Sequence, residues 1–335
     1  MKPHPGTLPY ADLLKAVGTV CLWYLCNITV SLSNRYLLTT GLRAPISLTC
    51  LHMVCTFCFA TVAVNFMGFE KQEIQSRSQA LKVVAQSITF GVSIVCGVSA
   101  LGHIPVSFNE MISSTTPLFT AIIAYAMQGE GQTYEKVTAL LLVAVGASIS
   151  SGGEPSWSLV GFTLALTATA TRALKAVLQA VLLTSSEEKL SSMNLLRYMT
   201  GIVIIVLVPI VLASEGGTKM MDIFIENYHA GNTKFLFIMT INVFAAFMSN
   251  LSQFLVTKCV GAVVLQVLGN FKGVVNACIS VLVFQNAVTL QSLGGYGLTT
   301  AGVFIYTYLK RVQKKEKKYI EIALEKQPLN PRLGV

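Results

Sequence analysis

Five basic residues lie inside long apolar stretches of the sequence, where a charged side chain is costly. Glu110 is the only acid with a comparable position, whereas the cations are Arg35, Arg172, Lys175, Arg197 and Lys272. On membrane-insertion scales each such charge costs about 2.5 to 3.5 kcal/mol at a helix centre, so a surplus of cations needs a physical reason. Lysine and arginine form charge-assisted hydrogen bonds with phosphoryl oxygens. The surplus therefore predicts a site for a phosphorylated solute that supplies the missing negative charge.

Lys272 lies near the middle of the run VVLQVLGNFKGVVNACISVLVF, too deep to reach the headgroups easily. Gly269 and Gly273 flank it at a spacing that lets another helix approach closely. Two interpretations of Lys272 stay open. It contacts an anionic substrate, or it pairs with Glu110 and locks two helices together.

Lys175 and Arg172 are three residues apart in TRALKAVLQ, and Gln179 follows one turn later. Residues at this spacing share one face of a helix, so the two cations are placed to hold a diphosphate together. The alternative for Lys175 is that it extends to the cytosolic headgroups. The same alternative applies to Arg35 and Arg197, each about one turn from the end of its apolar run.

Polar residues without charge give weaker indications. Asn109, Thr115 and Thr116 precede Pro117, which removes a backbone hydrogen bond, so a kinked gate is expected around Thr116 and Pro117. Gln266, Asn270 and Asn276 share the run of Lys272. For them, as for Ser249 and Asn250, hydrogen bonding between helices is the default interpretation.

The elements that must position these residues are membrane-spanning helices. The 335-residue chain is 53% apolar and only 12% charged, and its mean hydropathy is +0.64. We therefore predict an all-α membrane protein, because runs of about 20 apolar residues are long enough to cross the bilayer. Ten such runs occur, near 16–40, 45–67, 81–101, 107–127, 137–151, 157–183, 193–214, 234–256, 262–284 and 290–309.

A weak internal repeat divides the ten runs into two sets of five. A shift of 156 residues lays Ala121 on Ala277, Thr133 on Thr289 and Gly146 on Gly302. Five spans per set invert the second copy relative to the first, and inverted repeats are typical of transporters with a site at mid-membrane. We expect a cytosolic N-terminus (1–15), two five-helix repeats (16–151 and 157–309) and a basic cytosolic tail (310–335).

The cations outside the runs predict the orientation, since lysine and arginine are retained on the cytosolic side. Of 24 Lys and Arg, sixteen lie on the face that carries both termini and only three on the opposite face. Both termini should therefore be cytosolic. The first residues do not fit a cleaved presequence or a transit peptide, which argues against import into plastids or mitochondria.

Several function classes lack their signals. The sequence has no GxxxxGK[ST] loop and no HExxH motif, and its Cys55 and Cys58 have no second pair. We expect no metal, no cofactor and no catalytic residues, so the chain is not predicted to be an enzyme. A membrane-embedded enzyme is the alternative from another class. The net charge of +9 reflects the tail beginning KRVQKKEKK and predicts lipid rather than nucleic acid as its partner.

Several stretches together are similar to a known family, which they match from about residue 16 to 310. They are NRYLL at Asn34, PVSFNEMISSTTPLFTAIIAY at Pro105, SGGEP at Ser151, TRALKAVLQ at Thr171, EKLSSMNLLRYM at Glu188 and LQVLGNFKG at Leu265. On these motifs the chain resembles the triose-phosphate and nucleotide-sugar transporter family of the drug/metabolite transporter superfamily. The resemblance is strongest to the plant-type nucleotide-sugar group, in which a lysine is followed by Val, Ala or Gly, here Lys272 and Gly273.

The resemblance implies a ten-helix antiporter in which Gly269, Asn270 and Lys272 bind the nucleotide phosphates and the sugar. It further implies that Asn194 reads the base. Plastid phosphate translocators carry Lys followed by Arg, and Gly273 lacks that second charge. Glu110 stands where many relatives have Gln, so a role in proton coupling is an open question.

The resulting hypothesis is exchange of a nucleotide sugar, a UDP-sugar, for a nucleoside monophosphate across the Golgi membrane. Lys272 and Lys175 would hold the phosphates, and Asn270 and Asn194 the sugar or the base. The alternative on the same fold is exchange of sugar phosphate for phosphate.

Overall fold

The computed structural model describes residues 10–39, 42, 44–104, 109, 112–129, 131–150, 158–184, 188–284 and 290–325. Every long regular element in these residues is a helix. In chain order they are α1 (Tyr10–Thr39), α2 (Pro45–Phe66), α3 (Arg77–Ala100), α4 (Thr116–Gln128), α5 (Tyr134–Ser150), α6 (Leu159–Thr184), α7 (Ser192–Ser214), α8 (Lys219–His229), α9 (Thr233–Val260), α10 (Ala262–Phe284) and α11 (Leu290–Glu325).

Six of these helices are long and apolar enough to cross a membrane, namely α1, α2, α3, α6, α7 and α9. The prediction of an all-α membrane protein with several spans is confirmed at this level. Each of the ten predicted runs overlaps one helix of the structure. A helix forms in each apolar run because it lets the backbone N–H and C=O groups hydrogen-bond to one another, as a lipid environment requires.

The helices depart from the predicted runs in three places. α8 is an additional short helix between the seventh and eighth runs, and α11 continues past residue 309 to Glu325. In the fourth run, expected from 107, Ile112 and Ser113 are helical, Ser114 and Thr115 form a turn, and α4 begins at Thr116. α8 is amphipathic and lies on the surface, so a hydropathy window of about 20 residues misses it.

Polar caps define several helix ends. The hydroxyls of Ser76 and Ser191 accept hydrogen bonds from the first turns of α3 and α7, and the Asn232 side chain does so at α9. Gly261 separates α9 from α10 with a φ of 82°, which favours glycine. These caps satisfy donors that a helix start leaves free.

The start of α2 is capped by a residue distant in sequence. Glu215, which follows α7, accepts hydrogen bonds from the backbone N–H of Ile46 at 2.9 Å and of Ser47 at 2.7 Å. Its carboxylate also accepts a 2.5 Å bond from the Ser47 hydroxyl. A negative charge at this position stabilises the positive end of the helix dipole.

Four helix pairs form the most extensive packing: α5 with α11, α3 with α6, α1 with α9, and α2 with α7. The first pair approaches closely because each helix contributes a glycine. A Cβ on Gly146 would lie 2.5 Å from the Thr299 nitrogen, and a Cβ on Gly302 would lie 2.9 Å from the Val143 nitrogen. Any larger residue at either position must push the two backbones apart.

Candidate functional site

A cavity of about 1090 Å³ lies between α1, α3, α4, α5, α6, α9, α10 and α11. It is large enough for a solute of considerable size. Of the residues that the sequence predicts for the site, the cavity wall includes Lys272, Lys175, Arg172, Asn270, Gly269 and Thr116. Glu110 lies outside the described residues. No Asp or Glu occurs among the described residues of this wall.

Lys272 is held at the cavity wall by an amide from another helix. Its ammonium donates a 2.8 Å hydrogen bond to Oδ1 of Asn27 on α1. The Asn27 amide nitrogen donates to the Trp23 carbonyl at 2.9 Å and to the Ser249 hydroxyl of α9 at 2.8 Å. Because both amide hydrogens are used in this way, Oδ1 is directed at Lys272. One asparagine thus joins α1, α9 and α10.

Aromatic side chains of α1 pack against α10 beside Lys272. The Trp23 ring centroid lies 5.2 Å from the Lys272 ammonium, within the range of a cation–π interaction. The Tyr24 hydroxyl donates a 2.7 Å hydrogen bond to the Leu268 carbonyl of α10. The neighbouring Trp23 and Tyr24 rings are 5.5 Å apart. Together these contacts fix α10 against α1 at the level of Lys272.

Lys175 reaches the cavity from α6 through an aromatic sleeve. Its side chain is only 4% exposed, yet it contributes to the wall. The ammonium lies 4.4 Å from the Phe90 ring centroid and 6.0 Å from that of Phe254. Aromatic faces stabilise a cation and leave its N–H donors for an oxygen ligand. This environment points Lys175 inward and excludes the alternative that it extends to the headgroups.

Arg172 lies one turn before Lys175 on α6 and also lines the cavity. Three predicted cations, on two helices, therefore border one space. The salt bridges in the described part of the chain, Lys71 with Glu73 and Lys82 with Glu188, lie elsewhere. Three cations around one space favour a ligand with several negative charges.

The interruption before α4 also faces the cavity. Pro117 has no N–H for the carbonyl of Ser113 four residues earlier, and the Thr116 hydroxyl donates to that carbonyl instead. The next carbonyl, of Ser114, accepts a 2.8 Å hydrogen bond from the amide of Asn270. Ser113, Ser114, Thr116 and Asn270 all line the cavity. The kink expected from Pro117 thus has a counterpart in the break at Ser114 and Thr115.

Gly269 does not serve the close helix packing expected from its spacing with Gly273. A Cβ on Gly269 would meet no atom within 4 Å, because the residue borders the cavity. That expectation is wrong for Gly269. The missing side chain enlarges the cavity beside Lys272, whereas Gly146 and Gly302 make close contacts between α5 and α11.

Gln179 is fully buried next to the site, but it does not line the cavity. Its amide donates a 2.6 Å hydrogen bond to the Thr257 hydroxyl of α9. The contact joins α6 to α9 one turn beyond Lys175. In this conformation Gln179 therefore holds α6 against α9 and does not contact the cavity.

Asn194 lies apart from the other predicted site residues. It is fully buried in the first turn of α7, and its amide donates to the Glu70 carbonyl at 2.7 Å and to the Ser191 hydroxyl at 2.8 Å. Its oxygen accepts a 3.3 Å bond from the Gln72 N–H. These bonds attach the segment between α2 and α3 to α7, and the structure does not bring Asn194 to the cavity.

The sequence interpretation missed Asn27, Trp23 and Tyr296, all of which line the cavity. An amide within the apolar run of α1 was the available signal for Asn27, with Trp23 one turn before it. What sequence could not supply was the partner, because Lys272 is 245 residues away along the chain.

Comparison with known proteins supplies the family context. A sequence model of the Triose-phosphate Transporter family matches residues 14–307. A probable sugar phosphate/phosphate translocator of Arabidopsis thaliana is 41% identical over 300 residues, covering 89% of this chain and 96% of that protein. UDP-uronic acid transporter 1 of the same plant is 42% identical over 292 residues, covering 86% and 93%. A solved crystal structure at 16% identity has a TM-score of 0.66 and covers 91% of this chain and 99% of its own, which is a likeness of fold.

Proposed function

Because the chain belongs to the triose-phosphate transporter family, we propose that it is an antiporter exchanging a nucleotide sugar for a nucleoside monophosphate. The proposed cargo is a UDP-sugar, and the proposed membrane is that of the Golgi. The similarity to a protein named as a UDP-uronic acid transporter supports this choice of cargo. The transport proceeds by alternating access around one site.

One observation carries the proposal: Lys272, Lys175 and Arg172 line the same cavity, together with amides and aromatic rings. A nucleotide sugar matches this composition. Its diphosphate carries the negative charge, its base has an aromatic face, and its sugar has hydroxyl groups. Charge-assisted hydrogen bonds from Lys272 and Lys175 hold the phosphoryl oxygens. Asn270 lies two residues from Lys272 and is assigned to the sugar or the base.

The positions of the remaining predicted residues refine these roles. Gly269 leaves room for the ligand beside Lys272, and Arg172 adds a guanidinium next to the Lys175 ammonium on the α6 side. Asn194 and Gln179 are engaged outside the cavity wall and take no direct part in binding in this conformation. Thr116 and Pro117 belong to the interruption that borders the cavity, where a gate is proposed.

The proposed architecture consists of ten spans in two inverted repeats. The helix pairing supports it, because exchanging α1 to α5 with α6, α7, α9, α10 and α11 converts the α1–α9 pair into the α6–α3 pair. The same exchange leaves the α2–α7 and α5–α11 pairs unchanged. Gly146 and Gly302, which the 156-residue shift superimposes, each contact the other's helix. Rocking of such halves exposes the site to each side in turn.

Both termini are proposed to be cytosolic, on the basis of the excess of Lys and Arg on their face. In that orientation the ends of α2, α6 and α9 lie at the cytosolic surface. The Gln179–Thr257 contact would then be on the cytosolic side of the cavity. Binding must stabilise the inward and outward states to a similar degree, because a large preference for one would trap the solute.

Exchange of sugar phosphate for phosphate is the second candidate function. It is favoured by the 41% identity to a protein named as a probable sugar phosphate/phosphate translocator. The cations of the cavity serve either cargo, because the phosphoryl group is common to both. The two cargoes differ in size: a nucleotide sugar also fills the remainder of the cavity, whereas a sugar phosphate does not.

Exchange assays in proteoliposomes distinguish the two candidates. Purified protein is reconstituted into vesicles preloaded with UMP, GMP or inorganic phosphate, and uptake of labelled UDP-sugars and of triose phosphate is measured. The proposal expects UDP-sugar uptake that depends on internal UMP. Uptake driven only by internal phosphate would establish the second candidate instead.

A further inference from the structure

A second, smaller pocket of about 240 Å³ lies between α2, α3 and α7. It shares no lining residue with the central cavity. Its wall is mainly apolar and includes Phe57, Val83, Val84 and Ile202, while Arg197 supplies its charge. Ile74 and Val84 at its rim are 38% and 39% exposed, so the pocket opens to the outer surface of the bundle.

The guanidinium of Arg197 is the unusual feature of this pocket. Its Nη1 is buried and makes no hydrogen bond within the described part of the chain. The neighbouring Tyr198 hydroxyl is already engaged, since it donates a 2.7 Å bond to the Gln72 carbonyl. A buried guanidinium nitrogen without an acceptor is costly. Arg197 lines the pocket, so a small rotation of its guanidinium would bring an anionic oxygen bound there within hydrogen-bond reach.

The depth of the pocket indicates what kind of anion. Arg197 lies five residues after Ser192, the first residue of α7, which places it about 7.5 Å below the helix end. Ile74 belongs to the segment that connects α2 to α3. The pocket therefore extends from the level of the headgroups into the apolar layer.

We propose that this pocket binds a phospholipid, with its phosphate on Arg197 and part of an acyl chain along the apolar wall. A guanidinium is suited to a phosphate because its fork matches two phosphoryl oxygens. Inorganic phosphate fits less well, since the remaining described lining offers it hardly any hydrogen-bond donor. An uncharged lipid offers Nη1 only neutral carbonyl and hydroxyl acceptors, which form weaker hydrogen bonds than a phosphate does. In the orientation proposed above, the lipid comes from the cytosolic leaflet.

Native mass spectrometry of the full-length protein in detergent tests this site. The protein is incubated with limiting dioleoyl phosphatidic acid, and retention of one lipid is compared with that of dioleoylglycerol, which lacks the phosphate. We expect the wild type to retain the phosphatidic acid about tenfold more than dioleoylglycerol. Glycerol phosphate, which lacks the chains, should not displace the bound lipid. Displacement would identify a site for free phosphate and overturn the proposal.

Two variants and two controls locate the lipid. Arg197→Gln should reduce retention at least about tenfold, as expected for loss of charge-assisted hydrogen bonds. Val84→Trp fills the pocket and should reduce retention while Arg197 is still present. Lys71→Gln removes a mostly exposed cation and should have no effect.

The second control, Lys272→Ala, alters the central cavity and should also retain the lipid. Retention by both Arg197→Gln and Val84→Trp would refute the site. If Arg197→Gln does not fold, Val84→Trp decides alone, because its substitution lies at the exposed rim.

Discussion

The ammonium of Lys272 and the amide oxygen of Asn27 lie 2.8 Å apart, across 245 residues of sequence. Asn27 presents a neutral oxygen where a charged partner would compete with an anionic ligand. An amide holds the lysine in place and still lets a phosphoryl oxygen bind more strongly, because hydrogen bonds between two ions exceed those with a neutral partner. The pair therefore positions the cation without neutralising it.

Replacing Asn27 by aspartate tests this relationship. Asn27→Asp should place a carboxylate beside Lys272, form an ion pair and reduce exchange more than Asn27→Ala does. For Asn27→Ala we expect KM to rise about three- to tenfold, corresponding to the loss of one hydrogen bond of about 1 kcal/mol. Both are measured as initial exchange rates in proteoliposomes. Wild-type KM in Asn27→Asp would show that the ligand's charge lies elsewhere.

A lysine that binds the transported phosphate cannot be truncated without loss of transport. Lys272→Ala should lower the exchange rate at a fixed cargo concentration by at least about thirtyfold, since removal of one partner of a buried charge pair costs about 2 kcal/mol or more. Insertion into the membrane should be unchanged. Lys258→Ala, at the exposed end of α9, is the matched control and should transport normally. Normal transport by Lys272→Ala would reject its assigned role.

Hydropathy was sufficient to predict where the helices lie, because bilayer thickness imposes a common length on apolar runs. It could not predict α8, whose apolar residues cover only part of a short helix. The cations of the cavity were also predictable, because charged residues within apolar runs are rare and can be identified before their contacts are known.

Contacts between helices were the part that sequence could not supply. Asn194 shows this: it matches a base-reading position by resemblance, yet its amide is used to hold the segment around Gln72. Asn27, with no such resemblance, contacts Lys272 directly. An amide side chain alone does not reveal its partner, because the partner depends on how helices distant in sequence pack.

Substitutions at two glycines with different surroundings should affect substrate binding at one site and protein stability at the other. Gly269→Val adds a side chain toward the cavity, where a Cβ meets nothing within 4 Å, so KM should rise and the melting temperature should stay unchanged. Gly302→Ala places a Cβ 2.8 Å from Cγ2 of Val143 and should lower the stability by about 1 to 3 kcal/mol. Thermal unfolding in detergent and exchange assays measure the two effects. A large loss of stability in Gly269→Val would contradict the position of this residue at the cavity.

The cap that Glu215 provides for α2 should be measurable without any substrate. Glu215→Gln keeps the shape of the side chain but removes the charge from three hydrogen bonds to Ile46 and Ser47. We expect a loss of about 1 to 2 kcal/mol, because the carboxylate stabilises both the orphan N–H groups and the positive helix end. Glu226→Gln on the exposed α8 is the matched control. Equal melting temperatures for the two variants would mean that α2 does not depend on the Glu215 charge. A decrease in Glu215→Gln alone would show that this carboxylate stabilises the contact between α2 and the end of α7.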